Sequence, residues 1–440
     1  MSGAILNRSQ NKCKVMGLGQ WVDRKDFPLV WMAVVDNLRI SGIQFYQFYQ
    51  ETLLQNWKVL TIAFKNCLNS WYSRMLPTLR MRSDVIKIFA TSKLWFKATI
   101  LPIPSNWLTS IESAIRIFLW KGKLEYLELT EVKNDPCEGG LNIPCASSQA
   151  DALFVKQLTR VLQVPNQKPY LHLKYWLGQL LRDYLPDMDN GPHSPVIPEY
   201  FRHGFKLLKE VFDPEYPLVN VNELRSCAAK MLYMDFTSTF CPPKVVFKHD
   251  QIPWSLVWEN LENPIIDSSP KDLLFLLIHN IIPNRQRLFR LNKTNDEFCK
   301  NSACLVEKRI HGPLEEGVLD RRDMSTSVQE VVEDNLHMFC ECARVKEIWA
   351  WVRRKVNLML PQVHRQISNF ELIHLAIPTS MFTTEVVWLI SNYCYYVHDQ
   401  VIKRKRKPDV ETFRGTLKFL FFQNIHANRP QLNLWTFDVF

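Results

Sequence analysis

The sequence predicts a mostly α-helical protein of several helical subdomains, with a small β segment at its N-terminus. Three observations predict this fold class. Apolar residues make up 47% of the 440 residues, so the chain can bury large cores. Apolar positions recur at steps of three and four along many segments, which is the period of an amphipathic helix. Glycine is sparse, at 13 residues, and the two strand-like segments both lie before residue 50.

Residues 1–50 contain these two strand candidates. The first runs from Lys14 to Gly19, and the second covers residues 37–45 with a bend at Gly42. Two strands do not form a stable sheet by themselves. We therefore interpret residues 1–50 as the end of a larger β structure.

Residues 51–125 are predicted to form a three-helix unit. The first two helices are expected near 51–71 and 83–99, and Ser105 is expected to cap the third. The residues predicted to face inward are Leu53, Trp57, Leu60, Phe64, Cys67 and Trp71 in the first helix, Val85, Ile88, Phe89 and Phe96 in the second, and Leu108, Ile111, Ile115 and Phe118 in the third.

Three further segments complete the predicted organisation. Residues 126–265 are a helical connector with a proline-rich linker near 185–198, residues 266–360 are a small module, and residues 361–440 are a helical C-terminal tail. Helices are expected near 147–161, 170–184, 200–212, 221–236, 254–261, 383–405 and 409–426.

The charge distribution favours a polyanionic partner. The net charge is +10 and the isoelectric point is about 9.0, which indicates nucleic acid first and an anionic membrane second. Residues 51–125 hold eleven Lys and Arg against four Asp and Glu. A second basic group, Lys403 to Lys407, is either a solvated helix end or a phosphate-binding or nuclear-localisation-like segment.

Cysteine usage and hydropathy predict the compartment. Eleven cysteines are scattered without a disulfide framework, and no signal peptide follows Met1. No apolar run reaches the ~18 residues that a membrane span needs. We expect a reducing compartment, cytoplasmic and/or nuclear, and no membrane partner.

Two cysteines, a histidine and a third cysteine have the spacing of metal ligands. Four residues separate Cys299 from Cys304, and four separate His337 from Cys342. Such pairs bring four soft donors to one tetrahedral Zn²⁺, so we predict a small module with a structural Zn²⁺. The alternative is ordinary reduced cysteines, and Cys340 competes with Cys342 as the fourth ligand.

Two neighbouring features complete this interpretation. Residues 305–332 are interpreted as an inserted loop, expected to lie outside the module and to be mobile. His279 is predicted to be a packed or capping histidine with no chemical role.

This stretch resembles the zinc-binding domain that follows the polymerase in non-LTR (LINE-type) retrotransposons. The matching features run in order along the sequence. They are an apolar helix at 273–278, Ile282-Pro283-Asn284-Arg285 with Arg287-Leu288, the pair Cys299 and Cys304, Leu336-His337-Met338-Phe339, Cys342 and Trp349. The departures are the wide first cysteine pair and the insertion.

Earlier segments resemble other parts of the same polymerases. Residues 2–7 look like the turn after the catalytic strands, and residues 41–45 look like the hairpin that grips the primer end. Residues 51–125 resemble the thumb. Phe118-Leu119-Trp120-Lys121 and the Gly139-Gly140-Leu141 turn resemble the element after the thumb. We assign no chemistry to the two glycines.

The resemblance implies the C-terminal region of a reverse transcriptase, whose parent activity is RNA-directed DNA synthesis. The catalytic Tyr-x-Asp-Asp box is expected upstream of residue 1, since the sequence has no Asp-Asp pair. Polymerase chemistry needs carboxylates that hold two metal ions. We therefore assign no catalytic residue and expect no primer extension by this chain alone.

The implied partners are an RNA/DNA template–primer duplex and the upstream palm and fingers of the same polyprotein. Two alternatives remain open: a stand-alone, non-enzymatic nucleic-acid-binding zinc protein, or an inert truncated product of an element. The predicted phosphate contacts are Arg74, Arg80, Arg82, Lys87, Lys93, Lys97, Arg285 and Arg287.

Overall fold

A computed structural model describes the chain over residues 13–24, 32–74, 76–122, 127–164, 167–181, 197–211, 228–237, 241–304, 306–308, 327–360, 366–380 and 382–426. The described residues are mostly helical, which confirms the predicted fold class.

The helices are α1 Tyr49–Tyr72, α2 Leu79–Val85, α3 Ser92–Ala98, α4 Ser105–Trp120, α5 Leu129–Lys133, α6 Ala146–Leu162, α7 Lys168–Leu181, α8 Glu199–Val211, α9 Ala229–Thr237, α10 Lys244–Lys248, α11 Trp254–Glu262, α12 Ser268–Ile278, α13 Arg285–Arg290, α14 Lys346–Met359, α15 Asn369–Ile373, α16 Thr383–Val397 and α17 Val410–His426. Three π turns cover Ile86–Ala90, His337–Glu341 and His398–Lys403.

The strands are short and pair two by two: β1 Cys13–Val15 with β2 Met32–Val34, β3 Asn37–Ile40 with β4 Ile43–Tyr46, and β5 Val306–Lys308 with β6 Ser327–Gln329. The first pair is parallel and the other two are antiparallel. The last pair lies inside the predicted loop 305–332. That loop therefore contains a regular hairpin, and residues 309–326 between its strands lie outside the described residues.

The chain forms two compact units. Unit 1 comprises Met1–Leu76, Met81–Glu125 and Ile143–Phe240, and unit 2 comprises Pro77–Arg80, Tyr126–Asn142 and Cys241–Phe440. The predicted division into five functional segments stays a prediction.

The β3–β4 hairpin of unit 1 is held by side chains of α1. Its turn places both Ser41 and Gly42 at positive φ, 48° and 84°, which suits the right-handed twist of a two-residue hairpin. The Asn56 side chain accepts from the Gln44 N–H at 3.1 Å and donates to the Gln44 carbonyl at 2.6 Å. The strand edge facing α1 is therefore satisfied without a third strand.

The helices after this hairpin follow the predicted order but not every predicted face. In α1 and α4 most of the expected residues are buried, among them Trp57, Phe64, Ile111 and Ile115, whereas Cys67, Trp71 and Leu108 are half-buried. The third helix begins at Ser105 itself, and the N-cap position is occupied by Pro104. Ser105 is thus the first helical residue, not the cap.

The predicted inward face of the second helix is wrong except for Val85. Ile88, Phe89 and Phe96 are 61%, 46% and 56% exposed. The π turn Ile86–Ala90 inserts an extra residue into the helical repeat. The buried face therefore passes through Ile86, Ala90, Leu94 and Ala98 instead.

The remaining helices of unit 1 surround one apolar cluster. It is built on α6, α7, α8 and α9 by Phe154, Leu158, Leu173, Leu177, Leu207, Leu208 and Leu232. Residues 221–227 of the predicted helix near 221–236 lie outside the described residues, and its remaining part corresponds to α9, Ala229–Thr237. Most of the predicted linker 185–198 lies outside the described residues.

Helix α16 is the centre of unit 2. Every residue from Glu385 to Cys394 is buried, which is the signature of a helix surrounded by protein. It packs against α11, α12, α14, α15 and α17. A segment predicted from sequence to be a tail thus supplies the core helix.

The predicted Gly-Gly turn is present in unit 2. Gly139 has φ 83°, and the Gly140 N–H donates to the Asp135 carbonyl at 2.9 Å. A Cβ on Gly140 would overlap the backbone of Asn134.

Among the described residues, no helix is both long and apolar enough to cross a membrane.

We predict that Gly140→Ala lowers the free energy of unfolding by about 2–4 kcal/mol, because the backbone of Asn134 must move to admit the methyl group. Gly415→Ala is the matched control. Nothing lies within 4 Å of its Cβ position, so it should stabilise α17 by about 0.5–1 kcal/mol. Urea unfolding measures both. Equal effects of the two substitutions would contradict the close approach at Gly140.

Candidate metal centre

Cys299 is positioned by a short antiparallel pairing. Its N–H donates to the Val331 carbonyl at 2.9 Å, and the Glu333 N–H donates to the Glu297 carbonyl at 2.9 Å. A bridge joins Phe298 to Val332 between them. This pairing fixes the direction of the Cys299 side chain, because successive residues of a strand point to opposite faces.

Cys304 ends a 3-10 turn that covers Ser302–Cys304. Its N–H donates to the Asn301 carbonyl at 2.9 Å. This turn reverses the chain after Cys299 and brings the second thiol back toward the first.

His337 and Cys342 are the two ends of one π turn. The Cys342 N–H donates to the His337 carbonyl at 2.8 Å, an i to i+5 bond that stacks these two residues on one side. The Asp334 carboxylate accepts from the His337 N–H at 2.7 Å and satisfies the start of the turn.

The four side chains converge on one buried point. Their ligand atoms all lie within 4.8 Å of one another, and all four residues are buried. The Cys342 Sγ lies 3.6 Å from the Cys304 Sγ and 4.0 Å from the Cys299 Sγ. Tetrahedral Zn²⁺ geometry sets a span of about 4 Å between ligand atoms, which these two sulfur pairs meet, whereas the four ligand atoms together span 4.8 Å. These four residues can hold a metal ion.

The donor chemistry of the site fits a cation. The His337 Nε2 is buried and has no hydrogen-bond partner within the protein. A buried polar atom without a partner costs about 1–3 kcal/mol. A bound cation would accept its lone pair and remove that cost.

Two N–H groups already point at the sulfurs. The Ala343 backbone donates to the Cys304 Sγ at 3.3 Å, and the Asn301 Nδ2 lies 3.5 Å from the same sulfur and 3.9 Å from the Cys342 Sγ. Such donors stabilise thiolate charge and orient the ligands of a metal.

Burial dominates the electrostatics of the thiols. Burial, together with the neighbouring Cys342 and Cys304, raises the pKa of Cys299 to about 12. Burial also raises the pKa of Cys342. Without a nearby cation these groups stay protonated, whereas a coordinating metal deprotonates thiols outright.

Cys340 is not a member of the cluster. Cys342 takes the fourth position in the group formed by the described residues. Cys340 lies on the same π turn but is 3% exposed, and its thiol pKa is raised by burial and by Cys394 of α16. Cys340 is therefore a core residue on the side of the turn that faces α16.

A chain of asparagines fixes the frame of the site. The Asn284 side-chain Oδ1 accepts from the Arg287 N–H at 2.8 Å and caps α13. The Asn284 Nδ2 donates to the Asn335 Oδ1 at 2.6 Å, and the Asn335 Nδ2 donates to the Asn280 Oδ1 at 2.9 Å. The chain joins the end of α12 to the residues that start the π turn.

His279 is a packed histidine, as predicted. Its Nε2 lies 2.9 Å from the Gly139 carbonyl oxygen, and its ring stacks on Trp258 at 5.4 Å between centroids. Burial lowers its pKa to about 4. The ring is therefore neutral at physiological pH and belongs to the core of unit 2.

Most of the predicted phosphate-binding residues have partners within the protein. Arg80 makes two hydrogen bonds to the Glu262 carboxylate, and Lys87 pairs with Asp84 at 2.9 Å. The Lys97 Nζ donates to the Asn56 Oδ1 at 3.1 Å, and its pKa is lowered by burial and by Arg39.

The other predicted cations differ in their surroundings. Arg285 pairs with Asp296 at 3.2 Å, and Arg287 donates to the Asn280 carbonyl at 3.1 Å. Arg82 is half-buried. Arg74 is exposed with its guanidinium 4.4 Å from the Trp71 ring centroid, and Lys93 is exposed.

Sequence reasoning missed the residues that support the metal ligands. Asn284 directly precedes α13, and asparagine is a preferred residue at a helix N-cap. Asn301 and Asp334 gave no such signal, since their roles depend on atoms brought near by folding.

Comparison of the sequence with known protein families gave no match, and a search of curated proteins gave none either.

We predict that the chain binds one Co²⁺, used as a spectroscopic probe, through three sulfurs and one nitrogen. Cys342→Ser should weaken Co²⁺ binding and lower the sulfur-to-metal charge-transfer absorbance of the bound ion, because only two of the three thiolates remain. Cys340→Ser is the matched control and should retain the band. Titration followed by absorbance measures both, and the reverse pattern would assign Cys340 as the ligand.

Proposed function

We propose that the chain is the nucleic-acid-binding C-terminal part of a non-LTR retrotransposon reverse transcriptase, built around one structural Zn²⁺. The observation that supports this best is the burial of Cys299, Cys304, His337 and Cys342 at one point. These are the residues on which the family resemblance depends. The rest of the proposal follows from the charge and from the motifs around them.

Zinc is the metal that suits this donor set. Three thiolates and one imidazole are soft to borderline ligands, and tetrahedral sites of this kind are typical of structural Zn²⁺. All four positions are filled by protein, so no position is open for a water or substrate. The proposed role is therefore structural and not catalytic.

The proposed ion would link two parts of unit 2 that are far apart in sequence. Cys299 and Cys304 belong to the segment after α13, whereas His337 and Cys342 belong to the π turn before α14. Residues 309–326 lie between them in the chain. Metal binding would hold the two ends of this long segment together and contribute folding free energy directly.

The nucleic-acid part of the proposal rests on charge. Residues 51–125 have seven more cations than anions, out of a net +10 for the chain. Since Arg80 and Lys87 already have carboxylate partners, the exposed Arg74 and Lys93 are the better phosphate contacts. Phosphate contacts of this kind position a protein on a duplex without reading its sequence.

The partners follow from the same proposal. A template–primer duplex of RNA and DNA would lie along residues 51–125, and the upstream palm and fingers of the same polyprotein would supply the catalytic carboxylates. All ten described cysteines are free, which is compatible with a reducing cytoplasmic and/or nuclear compartment.

We predict that removing zinc with a chelator lowers the thermal midpoint of unit 2 by about 5–10 °C. An ion present at about 100 times its Kd adds about 2.7 kcal/mol of stability, and each kcal/mol shifts the midpoint of a unit of about 150–250 residues, the size class of unit 2, by about 2–4 °C. Calorimetry with and without Zn²⁺ measures the shift. The Cys342→Ser variant should show no response to zinc, and a response equal to that of the parent chain would contradict the structural role.

We predict salt-dependent, sequence-independent duplex binding through residues 51–125. Replacing Arg74 and Lys93 together by Gln should reduce the slope of log affinity against log salt by about 1.8, since each phosphate contact contributes about 0.9. Fluorescence anisotropy with a DNA duplex measures the slope. The control is Lys248→Gln with Lys293→Gln, which removes two exposed cations from unit 2. Equal slopes for both double variants would remove residues 51–125 from the duplex interface.

A further inference from the structure

A cleft of about 480 Å³ lies in unit 2, away from the metal centre. It is bounded by the start of α12, the C-terminal end of α16, the π turn His398–Lys403 and one face of α17. Its lining combines an aromatic ring with amides and hydroxyls. The lining includes Tyr395, the amides of Asn392 and Gln400, and the hydroxyls of Thr412 and Thr416.

The volume and the lining suit one nucleobase. Ligand clefts range from about 300 to 1,000 Å³ and combine apolar or aromatic surface with a few polar groups. The Tyr395 ring offers a stacking surface, and amides and hydroxyls can hydrogen-bond to base edges. The carboxylates of Asp267 and Asp399 also line the cleft, and their negative charge makes the cleft better suited to an uncharged base than to a phosphate.

The basic loop Lys403 to Lys407 begins at the rim of this cleft, since Arg404 is part of the lining. The loop is held by its backbone: the Arg404 N–H donates to the Asp399 carbonyl at 2.9 Å, and the Arg406 N–H donates to the Gln400 carbonyl at 2.8 Å. Lys405 has φ 54° and projects into solvent. The loop thus presents its cations from a fixed backbone.

The charges of the loop are only partly matched. Arg404 pairs with Asp399 at 2.8 Å, Lys403 lies 3.9 Å from the same carboxylate, and Lys407 lies 3.9 Å from Glu347. Five cations therefore face two carboxylates. All five cations are exposed, so the surplus is available to a polyanion.

We propose that the cleft and the basic loop together form a site for single-stranded nucleic acid. One unstacked base enters the cleft, and the flanking phosphates contact Lys405 and Arg406. A stacked duplex cannot supply such a base, whereas proteins that bind single strands combine a basic track with aromatic stacking. The proposal rests on the proposed function only for the class of ligand, since its residues are separate from the metal ligands and from residues 51–125.

The fixed backbone of the loop favours this ligand over a protein that binds basic peptides. A carrier that takes an extended basic segment would require the loop to release the two backbone hydrogen bonds to residues 399 and 400. A nucleic acid needs no such rearrangement, because it reads only the exposed side chains.

The test measures the affinity of the full chain, with its metal, for three 12-nucleotide probes by fluorescence anisotropy. The probes are a single-stranded DNA, the same backbone with abasic sites throughout, and a blunt duplex. We expect the intact single strand to bind about tenfold more tightly than the abasic strand, since stacking of one base supplies a factor of this order.

Two sets of variants separate the cleft from the loop. Thr416→Trp fills the cleft and should abolish the preference for the intact strand, whereas its matched control Thr416→Ser should keep it. Gln400→Ala keeps the backbone of the π turn and should reduce the preference for the intact strand. This smaller substitution serves as a second test of the cleft in case Thr416→Trp disturbs folding. Binding of the abasic strand should not change in any of these three.

The loop variant is Lys405→Gln with Arg406→Gln, and its charge-matched control is Lys248→Gln with Lys293→Gln. The loop variant should weaken the intact and abasic strands alike and reduce the salt slope by about 1.4, at about 0.7 for each phosphate contact on a single strand. The control should leave both unchanged.

Three results would overturn the proposal: equal binding of the intact and abasic strands, equal behaviour of the loop variant and its control, or no binding of any strand. Loss of duplex binding with retained preference for the intact strand would overturn the proposed role of residues 51–125 and leave this site standing.

Discussion

Burying three thiols and an imidazole against one another constrains much of unit 2. These groups find too few partners inside the protein, since the His337 Nε2 has none and the sulfurs receive only weak N–H donors. Burying such a cluster costs free energy unless its polar atoms share a common partner, such as a metal ion. The antiparallel pairing at Cys299, the 3-10 turn at Cys304 and the π turn His337–Glu341 all serve to bring the four groups to one point.

The same π turn ties the cluster to the core helix α16. Phe339 is fully buried, and its carbonyl accepts a hydrogen bond from the Tyr393 hydroxyl. Tyr393 also contacts Trp349 of α14 at 5.1 Å between ring centroids. One side of the turn therefore faces the cluster and the other faces the core, which explains why Cys342 and Cys340, two residues apart, have different surroundings.

Charge in this protein divides into cations that support the fold and cations that are open to solvent. Arg80 and Lys271 both lie against the Glu262 carboxylate, and Arg285 pairs with Asp296. Partly buried pairs of this kind are costly to break, because the remaining charge loses its partner. The cations best placed to contact a polyanion are therefore the exposed ones, such as Arg74, Lys93 and the loop Lys403 to Lys407.

The sequence by itself determined the helical fold class, the β3–β4 hairpin, most of the buried faces of α1 and α4, and three members of the cysteine–histidine cluster, Cys299, Cys304 and His337. These depend on local periodicity, turn chemistry and ligand spacing, which one chain displays directly. Only the tertiary structure decided the buried face after Val85, because the π turn Ile86–Ala90 changed the helical repeat. It also decided the central place of α16, the choice of Cys342 over Cys340, and the ion pair of Arg80, since each depends on contacts between residues far apart in sequence.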